Sequence, residues 1–328
     1  MRHTSSIVFL VFAALLLGSS WLLSPYHLVL ATRILILALF AMSLDLLDGY
    51  VGLTSLGHAV FLGTSAYVTG FIAIGYSDNI LLLLGASLLI SGCLGALIGL
   101  LVLRATGVYF LMLSLAVSQV AWGIAWQWRS LTGGDDGLAG IPRPSFSDWV
   151  FVSSSSFYRL TTILFLIAAG LLIRLVHSPF GLSLQGIRES ALRMQALGYN
   201  VWLHKYIAFV ISSVVAGMAG MLLALQNGIV TPTQLSLHTS AIGLLMALVG
   251  GAGTMIGPMI GAVVVVVLEY GVSQYTERWI TLLGIIYIVV VVGAPDGIYK
   301  PLKNRIVQQF SSLRGRLKDR RWAKFSRH

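Results

Sequence analysis

Charge is what this 328-residue chain has least of: Asp, Glu, Lys and Arg together make up 10% of it, against roughly 25% in a soluble globular protein. With 57% hydrophobic residues and a mean hydropathy of +0.89, that deficit excludes a water-soluble domain and implies a polytopic membrane protein. Cysteine is almost absent as well. A single Cys93 excludes an intrachain disulfide and argues against a cysteine metal cluster; in its apolar, Gly-rich surroundings it reads as a small packing residue. No P-loop pattern occurs anywhere, so the chain cannot hold ATP in that way. The string GAGTMIG has the wrong spacing for a dinucleotide fingerprint and follows no strand, and neither HExxH nor a Ser–His–Asp arrangement is present. The expectation is a chain with no catalytic residues, no metal site and no cofactor of its own.

Positive charge is present but segregated. Ten of the 21 Lys and Arg residues lie beyond residue 299, in KPLKNRIVQQFSSLRGRLKDRRWAKFSRH. A juxtamembrane basic tail is attracted to anionic lipid at about 1 kcal/mol per basic residue, which accounts for the net charge of +10 without nucleic acid.

A hydrocarbon core about 30 Å thick needs roughly 20 apolar residues per helix. On that measure the fold class is all-α, with about ten transmembrane helices (8 to 10). The spans fall near 7–23, 28–47, 58–75, 80–103, 107–128, 158–176, 206–225, 237–250, 254–270 and 279–294. The first resembles a secretory signal, yet its apolar run continues to residue 23 and reads as an uncleaved helix. The eighth and ninth can also be a re-entrant pair, since no charged residue interrupts 206–268. Counting basic residues puts sixteen on one side and five (Arg33, Arg129, Arg143, Arg159, Arg278) on the other. The rule that positive residues stay inside then makes both termini cytoplasmic.

The chain is organised around a polar island at 177–205, HSPFGLSLQGIRESALRMQALGYNVWLHK, on the cytoplasmic side of this topology. Leu184, Ile187, Ala191, Met194 and Leu197 recur at three- and four-residue steps, which predicts one amphipathic helix over 183–197. Pro179 and Gly181 mark its entry and Gly198 its stop. Such a helix suits docking to a soluble partner, or lies on headgroups. The other polar stretch, 129–157, falls outside and contains LTGGDDGLAGIPRP. Thr132, Gly133, Gly134, Asp135, Asp136 and Gly137 read there as a tight acidic turn in a structured loop; a calcium loop would need further oxygen ligands.

Small residues spaced by four, Gly95/Gly99, Ala216/Gly220 and Gly253/Gly257/Gly261, predict closely packed helices. Two Gly-broken segments, DGYVGLTSLGH at 48–58 and LVGGAGTMIGP at 248–258, point to a transport pathway built on interrupted helices. Polar residues near the spans are few: Asp45, Asp48, His58, Gln119, Gln226, Asn227, His238 and Glu269. Asp45 and Asp48 are neighbours on a helix and can share a proton, although a water-solvated span end is the simpler reading. His58 either lines a pathway or bonds a backbone carbonyl, and Glu269 reads as solvated at an outer end.

The strings DGYVGLTSLGHAVFLGTSAYVTG, GVYFLMLSLAVSQV, LTGGDDGLAGIP, FGLSLQGIRESALRMQALGYNVWLHKYIAFVISSVVAGMAGMLLA and LLMALVGGAGTMIGPMIGA occur in this order. They resemble successive blocks of one family, the second membrane subunit of branched-chain amino acid ABC importers, from about residue 44 to residue 298. The resemblance implies a bacterial inner-membrane permease subunit that moves branched-chain amino acids, or a related amino acid, urea or amide, into the cytoplasm. It implies a sister permease subunit, two cytoplasmic ABC ATPase subunits that hydrolyse the ATP, and an external solute-binding protein. The island becomes the coupling helix, with Gln185, Arg188, Glu189, Ser190, Ala191, Leu197 and Gly198 facing the ATPase. Its Glu189, Ser190, Ala191 and Gly198 resemble the EAA-type loop, with the glycine further from the glutamate than in the broader pattern. Asp45, Gly49, Gly52, Ser55, Gly57, His58, Gln119, Gly250, Gly253 and Gly257 are the expected pathway set, and 132–137 the expected seat of the binding protein. Asp45 and Asp48 depart from the family pattern, which favours a small amide at the first position and an apolar or small residue at the second. The layout is then a permease domain over 1–298 and a basic cytoplasmic tail over 299–328. Two rival classes remain: a proton-coupled carrier using Asp45 and Asp48, and an intramembrane enzyme using His58.

Overall fold

The computed structural model describes residues 13–20, 23–146 and 149–273, together with 281, 284, 285, 288 and 297–299. The start of the first expected span, most of the tenth and the basic tail beyond residue 299 lie outside the described residues.

The described residues are helical almost throughout. A short helix α1 (13–20) precedes α2 (Pro25–Asp45), which opens with Pro at its first turn and runs into a π-helical segment, Leu46–Val51. Then come α3 (Ala59–Gly75), α4 (Ile80–Val102), α5 (Val108–Gln127), the single turn α6 (Arg129–Thr132) and α7 (Ser154–Val176). The polar island forms α8 (Pro179–Glu189) and α9 (Ala191–Ala196), and the chain continues through α10 (Val201–Asn227), α11 (Leu237–Gly250) and α12 (Gly257–Ser273). Among the described residues five helices are long and apolar enough to cross a membrane: α2 with its π segment, α4, α5, α7 and α10. Three more, α3, α11 and α12, are apolar but shorter. Fourteen residues of α11 rise only about 21 Å, less than a bilayer core. Irregular backbone therefore meets it inside the protein.

The core gathers around α10, which packs on α2, α3 and α4. On α4 the buried face is Leu83, Ser87, Ser91, Gly95 and Gly99, one residue per four. A Cβ on Gly95 would lie 1.9 Å from Ser213 Oγ, one on Gly217 2.3 Å from Ser91 Cβ, and one on Gly220 1.9 Å from Leu62 O. Close backbone approach through small residues is the usual basis of helix association in lipid. Serine hydroxyls add to it: Ser65 Oγ donates to Gly217 O at 2.7 Å and sits 2.8 Å from Ser87 Oγ, joining α3, α4 and α10. Gly95 and Gly99 act as their spacing predicted. Cys93 does not, because it lies on the exposed face of α4 instead of in the packing.

The loops divide between two ends. At one end β1 (Leu138–Ala139) pairs antiparallel with β4 (Ile229–Val230), and β2 (Ser145–Phe146) pairs with β3 (Trp149–Val150). Gly137, at φ +73, sits so close to Val230 O that a Cβ would be 2.2 Å away. The segment 132–137 is thus a fixed corner: Thr132 is buried and its hydroxyl donates to Ala125 O at 2.6 Å, while Asp135 and Asp136 are exposed. Among the described residues no group of three metal-ligating side chains occurs. Arg143 lies 4.7 Å above the Phe157 ring and donates to Leu225 O, and burial lowers its pKa from the usual arginine value. Glu269 is not simply solvated as expected, since it pairs with Arg33 of α2 at 2.8 Å and ties α12 to α2.

The opposite end carries the π segment, α8, α9 and the turn between α11 and α12. The two short helices pack as an antiparallel pair, with Gly261 against Met246 O and Gly250 against Gly257 O. Residues 237–250 form a helix with the expected bounds, and Gly253 lies in the turn instead of on the small-residue face with Gly257 and Gly261.

Candidate functional site

Three segments far apart in sequence converge at that opposite end. The first is the break in α2. After Asp45 the helix widens into the π segment and stops at Gly52, whose φ of +77 suits glycine. π segments within α-helices are rare and occur often at functional sites. The second is the turn 251–256, where Gly251 (φ +117), Gly253 (φ +78) and Met255 (φ +56) all take left-handed backbone. Thr254 steadies it, donating from Oγ1 to Gly251 O at 2.8 Å and accepting from Gly257 N at 2.9 Å. The third is α8.

Asp45 joins the first two. Its Oδ1 accepts the Gly253 N–H at 2.6 Å and its Oδ2 the Met255 N–H at 3.0 Å. The side chain is fully buried, so the solvated-end reading of Asp45 is overturned by the turn that packs over it. Gly49 completes the contact, since a Cβ there would lie 2.3 Å from both Asp45 Oδ1 and Gly253 N. Asp48 points elsewhere and accepts from Thr54 Oγ1 at 2.5 Å. Among the described residues no hydrogen bond joins the two carboxylates.

Arg188 brings in the third segment. Its Nη1 donates to the Gly49 carbonyl, and its stem lies against Gly52, where a Cβ would be 3.0 Å from Arg188 Cγ. Ser178 caps α8, accepting from Gly181 N at 3.4 Å, and Pro179 opens it. Leu184 and Ile187 are buried while Gln185, Arg188 and Glu189 line an open cleft of about 350 Å³ with Gly49, Tyr50 and Gly253.

The single helix expected over 183–197 is divided. Ser190 takes extended backbone (φ −161, ψ 101) and its Oγ accepts from Arg193 N at 3.3 Å, so it ends α8 and caps α9. The apolar face divides with it: Leu184 and Ile187 are buried, Ala191 and Met194 half-buried, and Leu197 exposed. Met194 folds back toward Gly186, where a Cβ would meet its Sδ at 2.8 Å. Gly198 stops α9 as expected, at φ +87, with Gly198 N–H on Gln195 O at 2.9 Å and Tyr199 N–H on Met194 O at 3.0 Å.

A second constellation surrounds the non-helical residues 52–58. Polar backbone at membrane depth must be satisfied by protein, and here serines supply the partners. Leu56 N donates to Ser114 Oγ at 3.2 Å, Ala59 N to Ser240 Oγ at 2.9 Å, and Gly57 N to Ser55 Oγ at 3.4 Å. Gly57 leaves no room for a Cβ, which would be 2.0 Å from Ser114 O. His58 is fully buried between Phe40 and Phe61. Its Nε2 lies 3.1 Å from Ser43 Oγ and 3.0 Å from Ser212 Oγ. Both hydroxyls already donate to carbonyls, Ser43 to Phe40 O and Ser212 to Ser43 O. They therefore accept from the imidazole, and Nε2 carries the proton. The partners of Nε2 are thus serine hydroxyls.

Of the expected pathway residues, Asp45, Gly49, Gly52 and Gly253 meet at the α8 junction, with Gly250 and Gly257 against each other behind it. Ser55, Gly57 and His58 form the second break. Gln119 joins neither and is exposed on α5. Sequence reasoning missed Ser43, Ser114, Ser212, Ser240 and Met255. The serines look like ordinary small residues in spans, and nothing in the sequence marks which backbone groups they serve.

Residues 26–294 match the family model described as "Branched-chain amino acid transport system / permease component". The chain is 26% identical over 311 residues to the high-affinity branched-chain amino acid transport system permease protein LivM of Salmonella typhimurium, covering 87% of this chain and 73% of the relative. It is 26% identical over 316 residues to LivM of Escherichia coli, covering 89% and 74%. No solved structure matches at a significant level.

Proposed function

This chain belongs to the permease-component family of branched-chain amino acid transport systems, and from that premise we propose that it is the membrane-spanning subunit of an ATP-driven importer. Its cargo is a branched-chain amino acid or a related small amino acid or amide. ATP is hydrolysed by two partner ATPases, cargo is delivered by an external binding protein, and a sister permease completes the pathway. The chain sits in the bacterial inner membrane, crossing it about ten times with both termini and α8–α9 in the cytoplasm. The fixed corner at 132–137 then faces outward, where the binding protein docks.

One observation carries the coupling role. Helices α8 and α9 turn Leu182, Leu192 and Leu197 outward, at 63%, 80% and 72% exposure, while Arg188 is fastened inward to the break in α2. An apolar outer face on a polar loop suits a groove in a soluble partner, and the inward bond hands its movement to the spans. Differential contact of α8–α9 with the two nucleotide states of the ATPase would bias the permease between its two packings. Asp45 and Asp48 each accept from other donors and do not hydrogen-bond to each other among the described residues, which favours the importer over a proton-coupled carrier.

Affinity capture on a tagged tail after gentle solubilisation tests the reading. Two P-loop ATPases and a second permease are expected to co-purify. A chain recovered alone, with uptake intact in its vesicles, would overturn it.

A further inference from the structure

The cleft between α8 and the break in α2 holds more polar capacity than the fold uses. Gly49 and Gly253 form its floor, where a Cβ on Gly49 would lie 2.3 Å from Gly253 N. The polar groups of the floor are committed, the Gly253 N–H to Asp45 and the Gly49 carbonyl to Arg188. The walls are not. Arg188 uses only Nη1 in this way; its Nε and Nη2 make no hydrogen bond among the described residues, and it forms no ion pair among them. The exposed side chains of Gln185 and Glu189 make no hydrogen bond among the described residues either. Tyr50 is only 5% exposed and lines the cleft, yet its hydroxyl has no hydrogen-bond partner among the described residues. A polar group so deeply buried is normally bonded.

These groups suit one class of occupant. The remaining guanidinium edge of Arg188 matches a carboxylate, and the Tyr50 hydroxyl adds a donor beside it. Glu189, the next residue along, matches an ammonium, and the Gln185 carbonyl adds an acceptor. A phosphate or nucleotide would meet the charge of Glu189 with a single guanidinium to hold it. An acyl chain would find no aliphatic side chain among the lining residues. A helix of another subunit is too large for about 350 Å³, a volume at the small end of the usual range for small-molecule sites. The closed floor separates the cleft from the membrane-spanning pathway, so its occupant arrives from the side of α8 and α9. The face offered to the ATPase, Leu182, Leu192 and Leu197, is apolar and turned outward, whereas the cleft lies between α8 and its own chain.

We propose that this cleft is a regulatory site for the zwitterion of a free amino acid on the cytoplasmic side, its carboxylate on Arg188 and Tyr50 and its ammonium on Glu189. The proposal rests on the importer reading above and adds a brake to it. With no aliphatic side chain in the lining, the site reads the zwitterion and leaves the ligand's side chain in the opening. It therefore does not separate leucine from alanine. A ligand held there ties α8 to the break in α2 and to the turn 251–256, favours that packing over the alternative, and slows import as product accumulates.

Calorimetric titration of the intact transporter complex, without binding protein, tests the site. L-leucine and L-alanine should bind with similar affinity, while isocaproate, which lacks the ammonium, and leucinamide, which lacks the carboxylate, should not bind. Tyr50→Phe deletes a hydroxyl that bonds nothing in the fold, and should weaken binding several-fold; Glu189→Gln should weaken it as well. In proteoliposomes, L-alanine enclosed with the ATP should slow uptake of labelled cargo several-fold. Tyr50→Phe should relieve that inhibition while keeping uptake into alanine-free vesicles. Absence of binding by any amino acid, binding of leucine but not alanine, or wild-type binding by Tyr50→Phe would each overturn the proposal. Uptake into alanine-free vesicles reports separately on the importer. If it is ATP-driven while amino acids fail to bind, the regulatory site alone falls. If it is not ATP-driven, the importer reading and the brake fall together, even where amino acids bind.

Discussion

Asp45 and Met255, 210 residues apart, are joined by a 3.0 Å hydrogen bond from backbone to carboxylate, and the second oxygen of the same carboxylate holds Gly253. The break in α2 thus grips the turn between α11 and α12. Asp45→Asn keeps one acceptor but sets an NH2 group against the other N–H, whereas Asp45→Ala orphans both donors. Each orphaned buried donor costs about 1–3 kcal/mol. Thermal unfolding of the purified complex should rank wild type above Asn and Asn above Ala. An Ala variant as stable as wild type would show that the turn holds without the carboxylate.

Arg188 of α8 reaches both Gly49 and Gly52. Arg188→Ala should leave the ATPases assembled and hydrolysing while uptake falls tenfold or more. Arg188→Lys, which retains a donor on a shorter, unforked group, should fall between. The measurement is cargo moved per ATP hydrolysed, and an unchanged ratio in the Ala variant would remove Arg188 from the coupling route.

Glycine substitutions should separate by what a Cβ meets. Gly49→Ala and Gly57→Ala place it 2.3 Å from Gly253 N and 2.0 Å from Ser114 O, both backbone atoms that cannot yield cheaply. Gly85, inside α4, has nothing within 4 Å, so Gly85→Ala should be neutral or stabilise by about 0.5–1 kcal/mol through helix propensity. Expression level and melting temperature of the three variants check the contrast.

Ser190→Ala removes the side-chain cap of α9, a loss of about 1 kcal/mol in typical cases. The change should be local: faster amide exchange over 191–196, with little effect on the melting temperature of the whole. Equal loss of protection in α10 would mean that the cap supports more than its own helix.

Much of the fold could be read from the chain because hydrocarbon imposes long apolar runs. The α11 bounds at 237–250 and the α4 limits near 80 and 102 follow from composition, and Gly95 and Gly99 from their spacing. The island was legible as a helix but not as two. Its periodicity continues across Ser190, and only the extended backbone there, with Ser190 Oγ capping Arg193 N, shows that the second half turns its Leu197 outward. Asp45 was the hardest to place. A carboxylate at the end of a span looks solvated until the turn that buries it is seen, and that turn enters the sequence 208 residues later. For the same reason Arg188 reads as a surface charge on an amphipathic helix, when its partner is a carbonyl freed by a π segment that sequence periodicity does not reveal.

The most direct test of energy coupling through α8 is uptake by the reconstituted transporter in proteoliposomes, with ATP inside and binding protein plus labelled cargo outside. Accumulation should require ATP and the binding protein, persist when the proton gradient is collapsed, and drop in Arg188→Ala while ATP hydrolysis continues. Accumulation by this chain alone, without ATP and abolished by collapsing the proton gradient, would contradict the importer reading and return Asp45 and Asp48 to the centre of the mechanism.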